Sequence, residues 1–314
     1  MQHTSAKMLA KMTSTSDSAS TLPVQSPAAR ARERFLRNYA SWVGMGLVAA
    51  FLLVALGADF LSPYSLGHSA KNVDRAPGTT GNLRLIEPLS SEYWMGTDAN
   101  AKDLLTRVMH GSRLSLLAGV VSILLAVSVG VPVGALAGYF GGWADALLMR
   151  TVDVALAFPS VLIALLVAVA FHPGWGTVII AVGLINVPIF ARQVRATVIS
   201  VVNQEYVLAS KAMGAGTWHI LAHSIGPALL SPVAVLASLS IGTAILEVAG
   251  LAFLGLVGDS TVPEWGCILG EARQYWRQNI CYAIAPGTAI SLAVLGFNLL
   301  GDGLRDALEP RGIS

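Results

Sequence analysis

The chain has 314 residues, of which 54% are hydrophobic and only 12% are charged, and its formal net charge at pH 7 is +2. Soluble domains carry about 25% charged residues, so the composition excludes an ordinary soluble protein. The sequence has no basic run with interleaved aromatic residues, the pattern that would indicate nucleic acid as a partner. The charged residues collect between long apolar runs, which is the pattern of a polytopic membrane protein.

The first segment of the sequence is polar. Residues 1–29 are rich in Ser, Thr and Ala, a composition typical of disorder, and they lack the apolar core and cleavage site of a signal peptide. We therefore expect residues 1–36 to form a disordered cytoplasmic tail. The apolar run that follows is too long for a signal peptide and is interpreted as a retained first span.

Six windows are apolar and long enough to approach the roughly 20 residues that a spanning helix needs. They cover residues 40–61, 114–138, 151–171, 177–191, 228–257 and 283–301. This predicts an all-α polytopic membrane protein with six transmembrane helices. The second window carries Gly130, Gly134 and Gly138, and small residues at this spacing predict a face that needs another helix to pack on.

The distribution of Lys and Arg near the span ends sets the orientation. It places both chain ends in the cytoplasm and residues 62–112 outside. The predicted organisation is a first transmembrane helix with a long periplasmic loop (37–112), a core of five transmembrane helices (113–303) and a cytoplasmic C-terminal tail (304–314). Within the core, residues 203–227 form a cytoplasmic loop.

This loop has the internal order of two short helices. The first is predicted to present one apolar stripe, formed by Val202, Tyr206, Ala209 and Met213. Gly214 is placed to end that helix in the left-handed conformation. Thr217 is placed to cap a second short helix that runs through Ala222, and Pro227 is expected to restart the chain into the fifth span.

The stretch NQEYVLASKAMGAGTWHILAHSIGPALL (203–230) resembles the EAA loop of ATP-binding-cassette (ABC) importer permeases of the dipeptide/oligopeptide/nickel family. Further similar segments are YWMGTDANAKDLLTRVMHGSRLSLLAG (93–119), GYFGGWADALLMRTVDVALAFPS (138–160) and FNLLGDGLRDALEP (297–310). The first span and the long loop before GTD resemble the C-type subunit of a heteromeric pair.

The resemblance implies the type I ABC importer transmembrane fold and a permease subunit that moves di- or oligopeptides across the inner membrane. Its implied partners are a homologous B-type permease, two ATP-binding subunits, a periplasmic or lipid-anchored solute-binding protein and membrane lipid. No GxxxxGK[ST] motif occurs, so ATP and Mg are expected on the ATPase subunits, with no cofactor and no catalytic site on this chain. The implied ATPase-coupling residues are Glu205, Tyr206, Ala209, Met213, Gly214 and Pro227.

Two other functions are weighed. A nickel importer permease belongs to the same class, and the nickel-type members are also similar around EYVLAS and EARQY (271–275). It ranks second because those members tend to have a histidine in the fifth span, where this chain has Thr243 and Glu247. The histidines of this chain also lack the spacing of metal ligands, and no metal site is predicted. An intramembrane hydrolase would need a Ser/His or Asp/Asp pair carried by a span, and no window offers one.

Three polar residues in the spans are candidates for the translocation path. Glu247 lies within the fifth window, where ionisable groups are rare and face a cavity or a partner. It either lines the path or makes a structural contact with a neighbouring span. Asn186 and Asn298 are interpreted as interhelical hydrogen-bonding groups that could also border the path.

Overall fold

The computed structural model describes residues 27–66, 90–258 and 262–308. Their regular structure is helical. The helices are α1 (Pro27–Arg37), α2 (Tyr39–Leu61), α3 (Leu104–Phe140), α4 (Gly142–Ala157), α5 (Ser160–Phe171), α6 (Trp175–Val201), α7 (Glu205–Ala212), α8 (Thr217–His219), a π-helical turn (Ile220–Ile225), α9 (Gly226–Phe253), α10 (Trp265–Ala272) and α11 (Cys281–Leu308).

Five continuous helical segments are long and apolar enough to cross a membrane: Tyr39–Leu61, Leu104–Phe140, Trp175–Val201, Thr217–Phe253 and Cys281–Leu308. A sixth candidate is the pair α4–α5, which is bent by 96°. The expected span over residues 151–171 is therefore a bent helix pair rather than one continuous helix. Phe158 is extended (φ −89°, ψ 139°) because the ring of Pro159 disfavours the helical conformation in the residue before it.

The first described residues are helical, so the expected disordered tail does not extend to residue 36; residues 1–26 lie outside the described part of the chain. Asn38 separates α1 from α2, and its Oδ1 accepts a hydrogen bond from the Ala40 amide at 3.0 Å. The Asn38 Nδ2 donates to Asp306 at the end of α11, at 2.9 Å. Good helix-forming residues (Ala, Arg and Glu) and this contact with α11 explain the order of α1.

The long loop also ends earlier than expected, at residue 103 rather than 112. The carboxylate of Asp103 accepts a hydrogen bond from the Thr106 amide at 2.7 Å and so caps α3. A helix of 37 residues is about 56 Å long at 1.5 Å per residue, whereas the hydrocarbon core is about 30 Å thick. The α3 helix is therefore much longer than the hydrocarbon core that it would cross.

The glycine face of α3 packs on α6 of the same chain. A Cβ atom at Gly130 would lie 2.7 Å from the Cβ of Phe190, and one at Gly138 would lie 2.8 Å from the Cβ of Val198. The predicted close packing is confirmed. Because α6 already fills this face, the glycines give no reason to expect a helix from a second subunit there.

The core lies among α3, α6 and α9, where Ile123, Val182, Phe190 and Val248 are almost completely buried. The α2 and α11 helices pack on one flank of this core around Leu116, Ile245 and Trp265. The α4–α5 pair packs mainly against α3 and α6. This arrangement leaves one side of α9 open, and it places residues 203–227 and the segment 90–103 at opposite ends of the bundle.

Candidate functional site

The segment 203–227 is held against the bundle by the apolar side chains that its two helical parts turn inward. Val207 of α7 is fully buried, in a cluster with Val198 of α6 and with Ile220 and Ile225 of the π-helical turn. The Lys211 ammonium lies 5.2 Å from the centre of the Tyr139 ring at the end of α3, a cation–π distance. The segment is therefore an ordered, docked element.

Gly214 ends α7 in the left-handed conformation, with φ +80°, as predicted. The Ala215 amide donates to the Ser210 carbonyl at 3.1 Å, and the Gly214 amide donates to the Lys211 carbonyl at 3.0 Å. These two hydrogen bonds form a Schellman motif. The turn reverses the chain, and the Ser210 and Ser224 hydroxyls hydrogen-bond across it at 3.1 Å.

The second helical part does not stop at Ala222, and Pro227 does not restart the chain. Gly216, rather than Thr217, is the N-cap residue of this part, which continues through the π-helical turn into α9 as one segment, Thr217–Phe253. The Gly226 amide donates to the Leu221 carbonyl, five residues earlier. This wider turn shifts the hydrogen-bond register just before Pro227, which has no amide hydrogen to donate.

The predicted coupling residues lie mostly on the outer surface of this segment. Glu205, Tyr206 and Ala209 are exposed, and 81% of Met213 is accessible. Tyr206, Ala209 and Met213 of the predicted stripe therefore face away from the bundle. The fourth member, Val202, packs instead on the inward cluster that Val207 anchors, so the predicted single stripe is wrong at this residue. Sequence reasoning missed two large exposed apolar side chains beside this stripe, Leu208 and Trp218. A surface this apolar at the end of a membrane bundle fits a protein partner.

The structure brings Glu247 and Asn186 together, as a hydrogen bond between α9 and α6. The Asn186 Nδ2 donates to the Glu247 Oε2 at 2.9 Å and also to the Val182 carbonyl at 2.9 Å. Asn298 lies elsewhere, on α11, where its side-chain oxygen approaches Gly242 of α9. The three polar candidates thus divide into one interhelical pair and one separate contact.

A buried charge network at the opposite end of the bundle was not predicted. Arg107 of α3 donates from Nη1 to Asp98 at 2.6 Å and binds both carboxylate oxygens of Glu271, at 2.6 and 3.0 Å. The Tyr282 hydroxyl donates to Glu271 as well. The network joins the segment 90–103, α3, α10 and α11. Asp98 and Arg107 occur in a segment that resembles the importer family (93–119), which was the available signal for these two residues.

A second buried carboxylate stabilises the start of α10 beside this network. The Glu264 Oε2 accepts a hydrogen bond from the Cys267 amide at 2.9 Å, and the Glu264 Oε1 accepts one from the Ser115 hydroxyl at 3.0 Å. Burial raises the pKa of the Glu264 carboxyl, and hydrogen bonds from backbone amides and Ser115 only partly oppose this effect. Glu264 thus links α10 to α3.

Comparison with known proteins gives two matches to family models. Residues 130–313 match the binding-protein-dependent transport system inner membrane component, and residues 26–77 match the N-terminal transmembrane domain of oligopeptide transport permease C.

Curated relatives resemble the chain over almost its full length. The dipeptide transport system permease protein DppC of Alkalihalophilus pseudofirmus is 40% identical, covering 91% of this chain and 90% of the relative. The glutathione transport system permease protein GsiD of Pectobacterium atrosepticum is 39% identical over 92% of each chain. The di/tripeptide transport system permease protein DppC of Pseudomonas aeruginosa is 36% identical, covering 91% of this chain and 93% of the relative.

Proposed function

The chain belongs to the binding-protein-dependent transport system inner membrane component family and is a permease subunit of an ABC importer, and we propose that its cargo is a di- or oligopeptide. The relatives named for dipeptides, di/tripeptides and glutathione support this class of cargo, because glutathione is itself a small peptide. A nickel-type importer is the second candidate, and no relative among these three is named for nickel.

We propose that the ATP-binding subunits transmit the movement driven by ATP hydrolysis to this chain through the segment 203–227. The observation that carries this proposal is the exposed group Tyr206, Ala209 and Met213, which lies next to an ordered turn that leads directly into the helical segment Thr217–Phe253. A groove on an ATP-binding subunit would bind the apolar stripe in the helix-in-groove mode. Because Thr217–Phe253 is one helical segment, a push on the turn would tilt α9 and change access to the path.

The proposed assembly contains a homologous B-type permease and two ATP-binding subunits, which hold ATP and Mg. This chain carries one coupling segment, and two ATPase subunits would require two such segments. A solute-binding protein would deliver the cargo at the end of the bundle that holds residues 90–103. The exposed apolar side chains of α4 and α5, among them Leu147, Val161 and Leu166, would contact lipid or the second permease.

Purification and reconstitution of the native assembly test this function. We expect a tagged copy of this chain, isolated in mild detergent, to recover one other permease and ATP-binding subunits, identified by mass spectrometry. In proteoliposomes with the cognate binding protein, the assembly should import a labelled dipeptide in the presence of ATP and should not import labelled nickel. A functional complex with two copies of this chain and no second permease would contradict the heterodimer, and nickel import without peptide import would contradict the cargo.

We propose that the membrane is the bacterial inner membrane, with both chain ends and the segment 203–227 in the cytoplasm. Single cysteines test the orientation in a background in which Cys281 is replaced by Ser and the buried Cys267 is retained. An impermeant maleimide should label Ser91→Cys in intact spheroplasts, because Ser91 is exposed within the segment 90–103. The exposed Lys211→Cys should react only after membrane disruption. The reverse pattern would invert the topology.

A further inference from the structure

Glu247 lies in a candidate membrane span, and its carboxylate forms no ion pair with a positively charged side chain among the described residues. None of the ion pairs found among residues 27–66, 90–258 and 262–308 includes Glu247. An ionisable side chain within a span is costly and is normally paired or turned toward a water-filled path. Asn186 supplies only a neutral amide donor to this carboxylate.

Asn186 holds the Glu247 carboxylate in one position. The Asn186 side chain is 1% exposed, and its Nδ2 is fixed by the second hydrogen bond, to the Val182 carbonyl, at 2.9 Å. This contact uses Oε2 of Glu247, and it leaves Oε1 able to accept a further hydrogen bond. The pair is therefore a preformed acceptor, aligned before any ligand arrives.

The carboxylate borders a small and otherwise mostly apolar cavity between α5, α6 and α9. The cavity has a volume of about 160 Å³, and its lining residues are Ser160, Val161, Ile185, Glu247, Gly250, Leu251 and Leu254. Thr243 and Gly250 are exposed, and they lie four residues before and three after Glu247, on one face of α9. Leu254, the residue that follows α9, is exposed on the same side. The cavity therefore opens onto the side of α9 that the rest of this chain does not cover.

We propose that Glu247 binds the α-ammonium group of the peptide during its passage, an inference that rests on the proposed peptide cargo. A free α-amino group has a pKa of about 7.7–8.0, so a peptide presents a positively charged terminus near neutral pH. An ammonium group has donors only, and these match the open oxygen of the carboxylate. Glu247 would thus select cargo with an unmodified amino terminus.

A metal ion is a poorer match for the same carboxylate. Transition metals bound by proteins take several nitrogen, oxygen or sulfur ligands. Among the described residues, no group of three or more His, Cys, Asp or Glu side chains is placed to hold one. One carboxylate with a neighbouring amide suits an ammonium group better than nickel.

Two cargos that differ only at the amino terminus test this role. The reconstituted native assembly is given labelled alanyl-alanine, or lactyl-alanine, in which a hydroxyl replaces the amine. Each is supplied at a concentration that saturates the binding protein, as checked by calorimetry. The ratio of the two uptake rates is the measured quantity, because it does not depend on how much transporter assembles.

The informative variant is Glu247→Gln, which keeps an oxygen for Asn186 and removes the charge. We expect its alanyl-alanine uptake to fall about tenfold relative to lactyl-alanine, the loss of roughly one charge-assisted hydrogen bond. Glu247→Asp should retain part of the preference. As a matched control, Leu246→Ala, at an exposed neighbour on α9, should leave the ratio unchanged.

Equal ratios for the native assembly and Glu247→Gln would overturn the ammonium role. If both uptake rates fell equally, the ratio would stay the same and the loss would indicate a structural role. These results leave the peptide cargo intact, because the native assembly would still import alanyl-alanine. Failure of the native assembly to import any peptide would instead overturn the proposed function, and this inference with it.

Discussion

Replacing Arg107 with Ala is expected to lower the free energy of unfolding by about 3–5 kcal/mol, the cost of breaking a buried ion pair. The Arg107 side chain is 2% exposed, and its partners Asp98 and Glu271 are 0% and 14% exposed. The variant would leave two carboxylates without their cation in a largely buried site. Thermal unfolding of the purified chain in detergent, followed by intrinsic tryptophan fluorescence, measures the effect.

The matched control is Arg113→Ala, on the same helix. Arg113 pairs with Asp59 at 2.9 Å, and the two side chains are 37% and 61% exposed; ion pairs in contact with solvent contribute about 0–1 kcal/mol. Arg113 also donates to the carbonyls of Ala55 and Leu56, and these hydrogen bonds add to the expected loss for this control. Arg107→Lys should fall between the two Ala variants, because an ammonium group cannot bind both oxygens of Glu271 as a planar fork does. Equal unfolding temperatures for Arg107→Ala and Arg113→Ala would show that the network does not stabilise the fold.

The features predicted correctly from sequence depend on local chemistry or on long apolar runs. Hydropathy identified the spanning segments because each must satisfy its own backbone in lipid. The turn at Gly214 was predictable because few residues other than glycine adopt the left-handed conformation readily. The contact between Asn186 and Glu247 was predictable only in part. Both residues were singled out from the sequence, but no pattern showed that they contact each other.

The features that were missed depend on tertiary contacts or on small changes in helical register. Arg107 and Glu271 are 164 positions apart, and nothing local to either residue indicates the other. The π-helical turn before Pro227 follows from one shifted hydrogen bond, which apolar periodicity does not report.

The orientation of α7 could not be derived from its apolar pattern either. Apolar side chains lie on two sides of this helix. Val207 faces the bundle, whereas Tyr206, Leu208 and Met213 are exposed. A partner surface and a core-facing surface give the same signal in a short helix, because both consist of apolar residues at helical spacing. Only the packing of Val207 against Val198 shows which side of α7 faces the bundle.

Replacing Gly214 with Val is expected to reduce ATP-driven uptake to background while the chain still inserts in the membrane. A Cβ atom at this position would meet nothing within 4 Å, so the substitution creates no clash. Its cost is conformational: a left-handed φ of +80° costs a residue with a Cβ about 1–2 kcal/mol, and β-branched side chains tolerate it least. The Schellman turn would open, and Met213 and Trp218 would leave the positions proposed for docking.

Gly214→Asn is the matched control, because asparagine tolerates the left-handed conformation and adds a side chain of comparable size. Asn should retain uptake and recovery of the ATP-binding subunits, whereas Val should lose both. A Met213→Cys crosslink to an ATP-binding subunit should form in the native and Gly214→Asn backgrounds and disappear with Gly214→Val.

Equal losses for Asn and Val would mean that any side chain at 214 blocks the partner. Normal transport by Gly214→Val would mean that the turn does not transmit the force of ATP hydrolysis. The conformational mechanism requires the two variants to differ, because asparagine tolerates the left-handed backbone and valine does not.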